Sequence, residues 1–248
     1  MNILEKISHS RDTLLTIFEN EWDTNISKLS YKEVEQLYNL NTGSDPTINA
    51  LGVAVGCNFS LSHKYIPSHK LNIIYYNFPE IGRTSSKVTK SIVDKIEKLY
   101  SEEIFQNDDS VAIIIDGNIS ESIDSYIKKL NINFQNNLIL SENIQKEIKN
   151  SKYNLKKKHF KNVHIYNIDL LVNNLFDHTL VPKHIPIRDI NEIQKVLNQF
   201  NIDSTQLPII LSTDPISKLL RLVEGDLVKI QRKSIKCGEY LFYRICQD

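Results

Sequence analysis

A few groups of polar residues have types and spacings that chemistry could use. Asp116 follows directly on the apolar run 111–115, and a carboxylate at a strand end is what a metal-dependent nuclease uses to hold a divalent ion and an attacking water. Such a site needs further carboxylates and a nearby Lys. No Glu-x-Lys strand follows Asp116, and one acidic residue builds no metal site. Ser125-Tyr-Ile-Lys128 has the Ser-x-x-Lys spacing of an acylating nucleophile, but the companion motifs of that chemistry are missing. His178 and His184 have no cysteine or carboxylate pair to complete a zinc set. They read better as hydrogen-bonding residues that hold a loop around Pro182.

Two basic groups remain. The run 152–161 contains Lys156, Lys157, Lys158 and Lys161; it is either a phosphate contact or a solvated loop in a Lys-rich chain. Lys229, Arg232, Lys233, Lys236 and Arg244 gather cations near the C-terminus, where only Asp226 and Glu239 oppose them. That surface suits an acidic partner, or is an ordinary charged strand face. There is no Gly-x-Ser-x-Gly elbow, no Gly-rich phosphate loop and no His-Glu-x-x-His helix, and seven glycines leave little for a nucleotide cradle. The sequence predicts no catalytic residue, no cofactor, no metal and no small-molecule substrate.

The elements that position these groups follow from apolar periodicity. Ile3, Leu4, Ile7, Leu14, Leu15, Ile17 and Phe18 predict a helix over 3–21, and Ser30 caps a second to about residue 40, ended by the linker 41–47. Residues 51–59, 71–76, 111–115 and 163–168 read as strands. Helices are predicted from Ser85 or Ser86 to 100, over 121–130 and over 142–150, with 136–140 extending the alternation. Short continuous apolar strands alternating with helices imply a sheet covered on both faces, hence an α/β domain over 1–168.

From about residue 174 prolines punctuate short elements, which predicts a smaller α+β domain over 169–248. It contains a helix over 189–200 with Ile190, Ile193, Val196 and Leu197 inward, and a helix over 215–222. Asp214 and Pro215 start the latter, an N-cap acceptor followed by a residue with no donor to waste. A turn at Glu224-Gly225 then leads into a hairpin of strands 226–232 and 240–246. Asp214 and Asp226 are, read locally, a helix cap and a turn residue.

Composition narrows the partners. The 248 residues carry 30 Lys+Arg and 30 Asp+Glu, so no net field drives the molecule onto nucleic acid or an anionic membrane. Three cysteines, at 57, 237 and 246, are too few for a disulfide framework and are expected to be free thiols. The mixed charges of the first twenty or so residues fit neither a secretory signal nor a transit peptide. The longest apolar runs fall far short of the ~20 residues that span a bilayer. Export and membrane insertion are not expected.

Three stretches in order carry a resemblance. They are His178-Thr-Leu-Val181-Pro182-Lys-His184; Leu207-Pro208 followed by Asp214-Pro215; and Gly225-Asp226-Leu-Val-Lys229-Ile-Gln-Arg232-Lys233-Ser234 with Gly238 and Tyr243-Arg244. Together they resemble the fifth subunit of eukaryotic RNA polymerases, whose archaeal counterpart consists of this domain alone. Two departures stand out. The family's Gly after the Asp-Pro helix is Arg221 here, so the helix must terminate otherwise. The usual Gly-Arg of the last turn is Gly238-Glu239.

The N-terminal part resembles, through element order with Phe78-Pro79 and Ile81-Gly82, the family's jaw domain, with residues 131–165 longer than the cellular pattern. The resemblance implies a restriction-endonuclease-like, non-catalytic α/β jaw followed by an α+β assembly domain. It implies a structural subunit that docks on the largest polymerase subunit, neighbours other polymerase subunits and lies beside downstream duplex DNA, with only local, weak DNA contact. The numbered motif residues of the C-terminal domain, Leu207 excepted, are then the interface set, and the lysines of 156–161 the candidate DNA contacts. Rival readings are a free-standing nucleic-acid-binding or nuclease-like module, and a transcription-factor adaptor with a borrowed domain. AT-rich coding, visible in only three alanines, and the two departures point to a large DNA virus. That would place the protein in the virion and host cytoplasm, and otherwise in the nucleus.

Overall fold

The structure, a computed structural model, describes residues 1–26, 28–38, 40, 46–85, 87–151, 153–234 and 238–247. Most of the expected linker, Ser86, Lys152, Lys236, Cys237 and the side chain of Ser234 fall outside what is described. The chain divides into two compact units, Met1–Glu147 with Phe160–Asn173, and Ile148–His159 with Asn174–Asp248.

The first unit is built on four strands, β1 (Phe59–Ser62), β2 (Lys70–Tyr76), β3 (Ser110–Ile115) and β4 (Val163–Asn167), in that order. β1 runs antiparallel to β2, while β2, β3 and β4 are parallel. Every residue of β3 is buried, as expected of a strand covered on both faces. Ile74, Tyr76, Ile113, Ile115 and Ile165 form one face's core with Ile92, Ile96 and Leu99 of α4 (Ser91–Ser101) and Ile123, Ile127 and Leu130 of α5 (Glu121–Asn137). Each such side chain contributes about 1.5–3 kcal/mol of burial. Tyr75 points to the other face, where its hydroxyl meets Ser10 Oγ at 3.0 Å. Ser10 lies on α1 (Ile3–Phe18), started by a capping box in which Asn2 and Glu5 satisfy each other's backbone donors. Short helices α2 (Tyr31–Tyr38), α3 (Pro46–Asn49) and α7 (Ile168–Val172) complete the set, and α6 (Glu142–Ser151) begins in this unit and ends in the second.

Four expectations here need correction. Residues 51–59 are not one strand: Val53–Cys57 is a 3-10 turn, because Gly56 backs so closely on α2 that a Cβ would sit 2.1 Å from Leu37 O. The helix expected from Ser85 begins at Ser91. α5 runs past Leu130 to Asn137 because its polar end finds partners. Asn131 bonds both the N–H and the C=O of Val163, at 2.8 and 2.9 Å, and Gln135 donates to Phe160 O at 2.7 Å. That extension takes up the start of 136–140, which forms no strand.

The second unit holds β5 (Lys183–Ile187), α8 (Ile190–Phe200), β6 (Ile209–Leu211), α9 (Pro215–Leu219), β7 (Leu227–Ser234) and β8 (Gly238–Gln247), with sheet order β5-β7-β8-β6. Ile193 of α8 packs with Leu207, Leu227 and Ile245 to make a small core. Ile190, expected inward, is exposed.

Asp214 caps α9 by accepting from Ile216 N at 2.8 Å, with Pro215 in the first turn. α9 is shorter than expected, and its end corrects the expectation drawn from the missing glycine. Arg221 itself takes the left-handed conformation, φ 52°. Leu222 N bonds to Ser217 O at 2.9 Å and Arg221 N to Lys218 O at 3.0 Å, the paired bonds of a Schellman cap. A non-glycine residue there costs about 1–2 kcal/mol. Arg188 offsets part of it by donating from Nη1 to Arg221 O, at 2.8 Å, and from Nη2 to Leu220 O.

Candidate docking site

Strand alternation sorts the hairpin residues onto two faces. Lys229 and Lys233 of β7 pair with Tyr243 and Glu239 of β8 and share the side of Leu227 and Ile245, where Phe200 of α8 meets the Tyr243 ring at 5.6 Å between centroids. Arg232 pairs with Tyr240, Ile230 with Phe242 and Val228 with Arg244, and His184 of β5 lies opposite Ile230. The single cationic surface expected from the sequence is therefore two surfaces. Lys229 and Lys233 belong to the α8 side, and Arg232 and Arg244 to the other.

That other face is the more organised. The Arg232 and Arg244 guanidiniums stand 5.3 and 5.5 Å from the centroid of the Phe242 ring, close enough for cation–π attraction. Arg244 Nη1 also donates to Ile209 O at 3.3 Å. His184 Nδ1 bonds Pro182 O at 2.6 Å, and Leu180 N donates to His178 Nδ1 at 3.2 Å, so both histidines hold the loop that carries Val181 and Pro182. Burial pushes the His184 imidazole below its ordinary value, with Arg232 and Arg244 adding to the effect, while the Pro182 carbonyl and Asp214 oppose it. Two guanidiniums held against the Phe242 ring leave a surface of Arg charge around an aromatic plate, suited to carboxylates. Pro208, Pro215 and Gly238 are exposed. Pro208 O accepts from Ile245 N at 2.9 Å.

Asp226 belongs elsewhere. It was expected among the contact residues, but its side chain has no exposed surface, so it cannot meet a partner. Its Oδ1 faces His159 Nε2 at 3.0 Å and Lys156 Nζ at 3.5 Å. Its Oδ2 accepts from Arg188 Nη1 and Val223 N, each at 3.1 Å. Burial by itself pushes this carboxyl up, but His159, Arg188 and Lys156 together outweigh it and hold it below the usual range. Gly225, φ 86°, makes the preceding turn and bonds Cys246 O at 2.8 Å.

The lysines of the basic run are mostly engaged within the protein. Lys156 faces Asp226, and Lys158 pairs with Glu224. Lys161 donates to Asn107 and lies 4.7 and 4.8 Å from the Phe134 and Tyr100 ring centroids; burial lowers its affinity for the proton, against Asp108. Lys157 is exposed. Asp116, the nuclease candidate, pairs with Lys6 at 3.6 Å and accepts from Ser85. Among the described residues no cluster of three or more His, Cys, Asp or Glu could hold a metal ion, and no helix is long and apolar enough to cross a membrane.

Three residues escaped the sequence reading. Arg188 sits between a strand and a helix with no motif around it, and His159 hides in a lysine run. Phe242 is signalled only by its place in register with Ile230, with Arg232 diagonal to it on the facing strand and Arg244 two residues along its own.

The family model described as RNA polymerase Rpb5, C-terminal domain, matches residues 173–246, which include the three motif stretches. The DNA-directed RNA polymerase subunit Rpo5 of Methanosphaera stadtmanae is 40% identical over 75 residues, covering 30% of this chain and 96% of the relative. That of Archaeoglobus fulgidus is 45% identical over 71 residues, 29% of this chain and 92% of the relative. That of Methanothermobacter thermautotrophicus is 39% identical over 74 residues, 30% and 95%. Near-complete coverage of these relatives at such identity settles the matter: through residues 173–246, this chain belongs to the Rpb5/Rpo5 family of RNA polymerase subunits.

Proposed function

We propose that this protein is a non-catalytic subunit of a multisubunit DNA-directed RNA polymerase. In this reading the C-terminal unit docks on the largest subunit and the N-terminal unit serves as a jaw beside downstream duplex DNA. The observation that carries it is the whole-domain match to archaeal polymerase subunits. The docking surface is the face bearing His184, Arg232, Phe242 and Arg244, and the contacting segment of the partner is acidic. Val181, Pro182, Pro208, Pro215 and Gly238 border it. Two guanidiniums held by one aromatic ring are pre-organised, so little side-chain entropy is lost when carboxylates arrive.

The jaw assignment draws support from the α/β architecture of the first unit, a mixed sheet with one antiparallel edge. A restriction-endonuclease-like ancestry fits that order, with Asp116 now tied to Lys6. The working place of such a subunit is inside a cell or a viral particle, wherever its polymerase transcribes. Of the four lysines considered for DNA, Lys157 and Lys158 are exposed, and Lys158 is paired with Glu224, which favours Lys157.

Charge reversal by face tests the surface. Arg232→Glu with Arg244→Glu should lower recovery of the largest subunit with the tagged chain by tenfold or more, as expected for interface arginines worth about 2 kcal/mol or more. Lys229→Glu with Lys233→Glu should lower it far less. Equal loss from both pairs, or none from the arginine pair, would remove this face from the contact.

A further inference from the structure

Residues 153–159 lie upstream of residue 173, where the family model begins, yet they fold as part of the C-terminal unit. Their attachments are specific. Asn154 O accepts from Ile190 N at 3.0 Å, and Asn154 N donates to the Asp189 carboxylate at 3.4 Å, so the segment meets the chain at the start of α8. Leu155 is buried. Lys156 lies over the turn before β7, where a Cβ on Gly225 would come within 2.9 Å of its Nζ. Lys156 and His159 then reach Asp226, the carboxylate with no exposed surface. A buried carboxylate left without its cations costs several kcal/mol, so these two side chains answer a need that Arg188 meets only in part. The Methanosphaera relative is 96% accounted for by its 75 matched residues, and a match of that length reaching the C-terminal hairpin cannot also reach residue 153.

We infer that residues 153–159 are a strap integral to the docking domain: they supply counter-charge to Asp226, and this chain's domain is complete only with a segment that its Methanosphaera relative lacks. The added length noted in the sequence between 131 and 165 thereby acquires a role. The strap also turns Lys156 away from any phosphate-binding surface, toward the buried Asp226.

Peptide-level hydrogen exchange of the full-length protein tests this, since it reads each region separately. His159→Leu combined with Lys156→Met should lower protection in residues 188–191 and 220–227 by about tenfold or more, while Lys157→Met matches the wild type. Adding Asp226→Asn to His159→Leu should lose less than the product of the two single losses, the mark of a direct coupling. Complete loss of protection across 174–247 in the double variant, with the Lys157→Met protein protected, is the same result at larger size. Wild-type protection in the double variant, or losses that simply multiply, would overturn the strap.

Discussion

The two units hold their strands together by different means. In the first, β3 is buried along its whole length between helices on both sides, and stability rests on interlocking isoleucines. In the second, the apolar cluster of Ile193, Leu207, Leu227 and Ile245 is joined by a fully buried carboxylate, Asp226, ringed by Arg188, His159 and Lys156. The second unit also leaves Leu180, Phe200, Ile209, Leu211 and Leu241 exposed. The first unit is held by apolar packing around its sheet; the second adds a directed ionic network to its apolar core. Shape should therefore govern the first unit and charge the second.

The sharpest break would come from near-isosteric changes. Asp226→Asn alters almost no volume but leaves Arg188 buried beside a neutral group, and should destabilise the second unit by about 3–5 kcal/mol. In the first unit Ile113→Ala, a loss of volume at constant polarity, should cost about 2–5 kcal/mol, and Ile113→Val only about 0.5–1.5. Local unfolding free energies from hydrogen exchange check all three. A harmless Asp226→Asn would reduce the contrast to one of size alone.

Acid should separate the units by sign. The folded Asp226 carboxyl is held below its ordinary 3.8, so its contribution is fully present above that pH and is lost as pH falls through the folded value. Asp109 in the first unit behaves oppositely. Burial raises its carboxyl, against hydrogen bonds from Lys70 N and Gln106 N. The folded state then takes up its proton first, and stability there rises as pH falls from the raised value toward 3.8. Exchange protection followed from about pH 6 to about pH 3 should show the Asp109 region gaining before the Asp226 region weakens; the reverse order would contradict both assignments. The smallest effect belongs to the strap's exposed position: Lys157→Ala should change stability by less than about 0.5 kcal/mol.

Much of this was legible in the residues. The apolar run of β3 announced a two-sided sheet, and Asp214-Pro215 announced a capped helix start, because both depend on neighbours in sequence. The motifs from His178 to Arg244 carried the family. What stayed hidden depends on contacts between distant residues. Gly52 and Gly56 turned an apolar strand pattern into a 3-10 turn through close approach to other backbone. Arg221 kept a glycine conformation because Arg188, 33 positions away, holds its carbonyl. Asp226 read as a turn residue, since nothing near it announces three cations arriving from elsewhere. The single cationic surface expected from the sequence overlooked strand alternation, which parts Lys229 from Arg232 because residues three apart on a strand face opposite ways.

The most direct measurement of the central claim is to purify the tagged full-length chain from its native source and identify by mass spectrometry what accompanies it. A polymerase subunit is recovered in stoichiometric amounts with the largest subunit and the other polymerase chains. Recovery alone, or with only a trace of polymerase, would contradict the account.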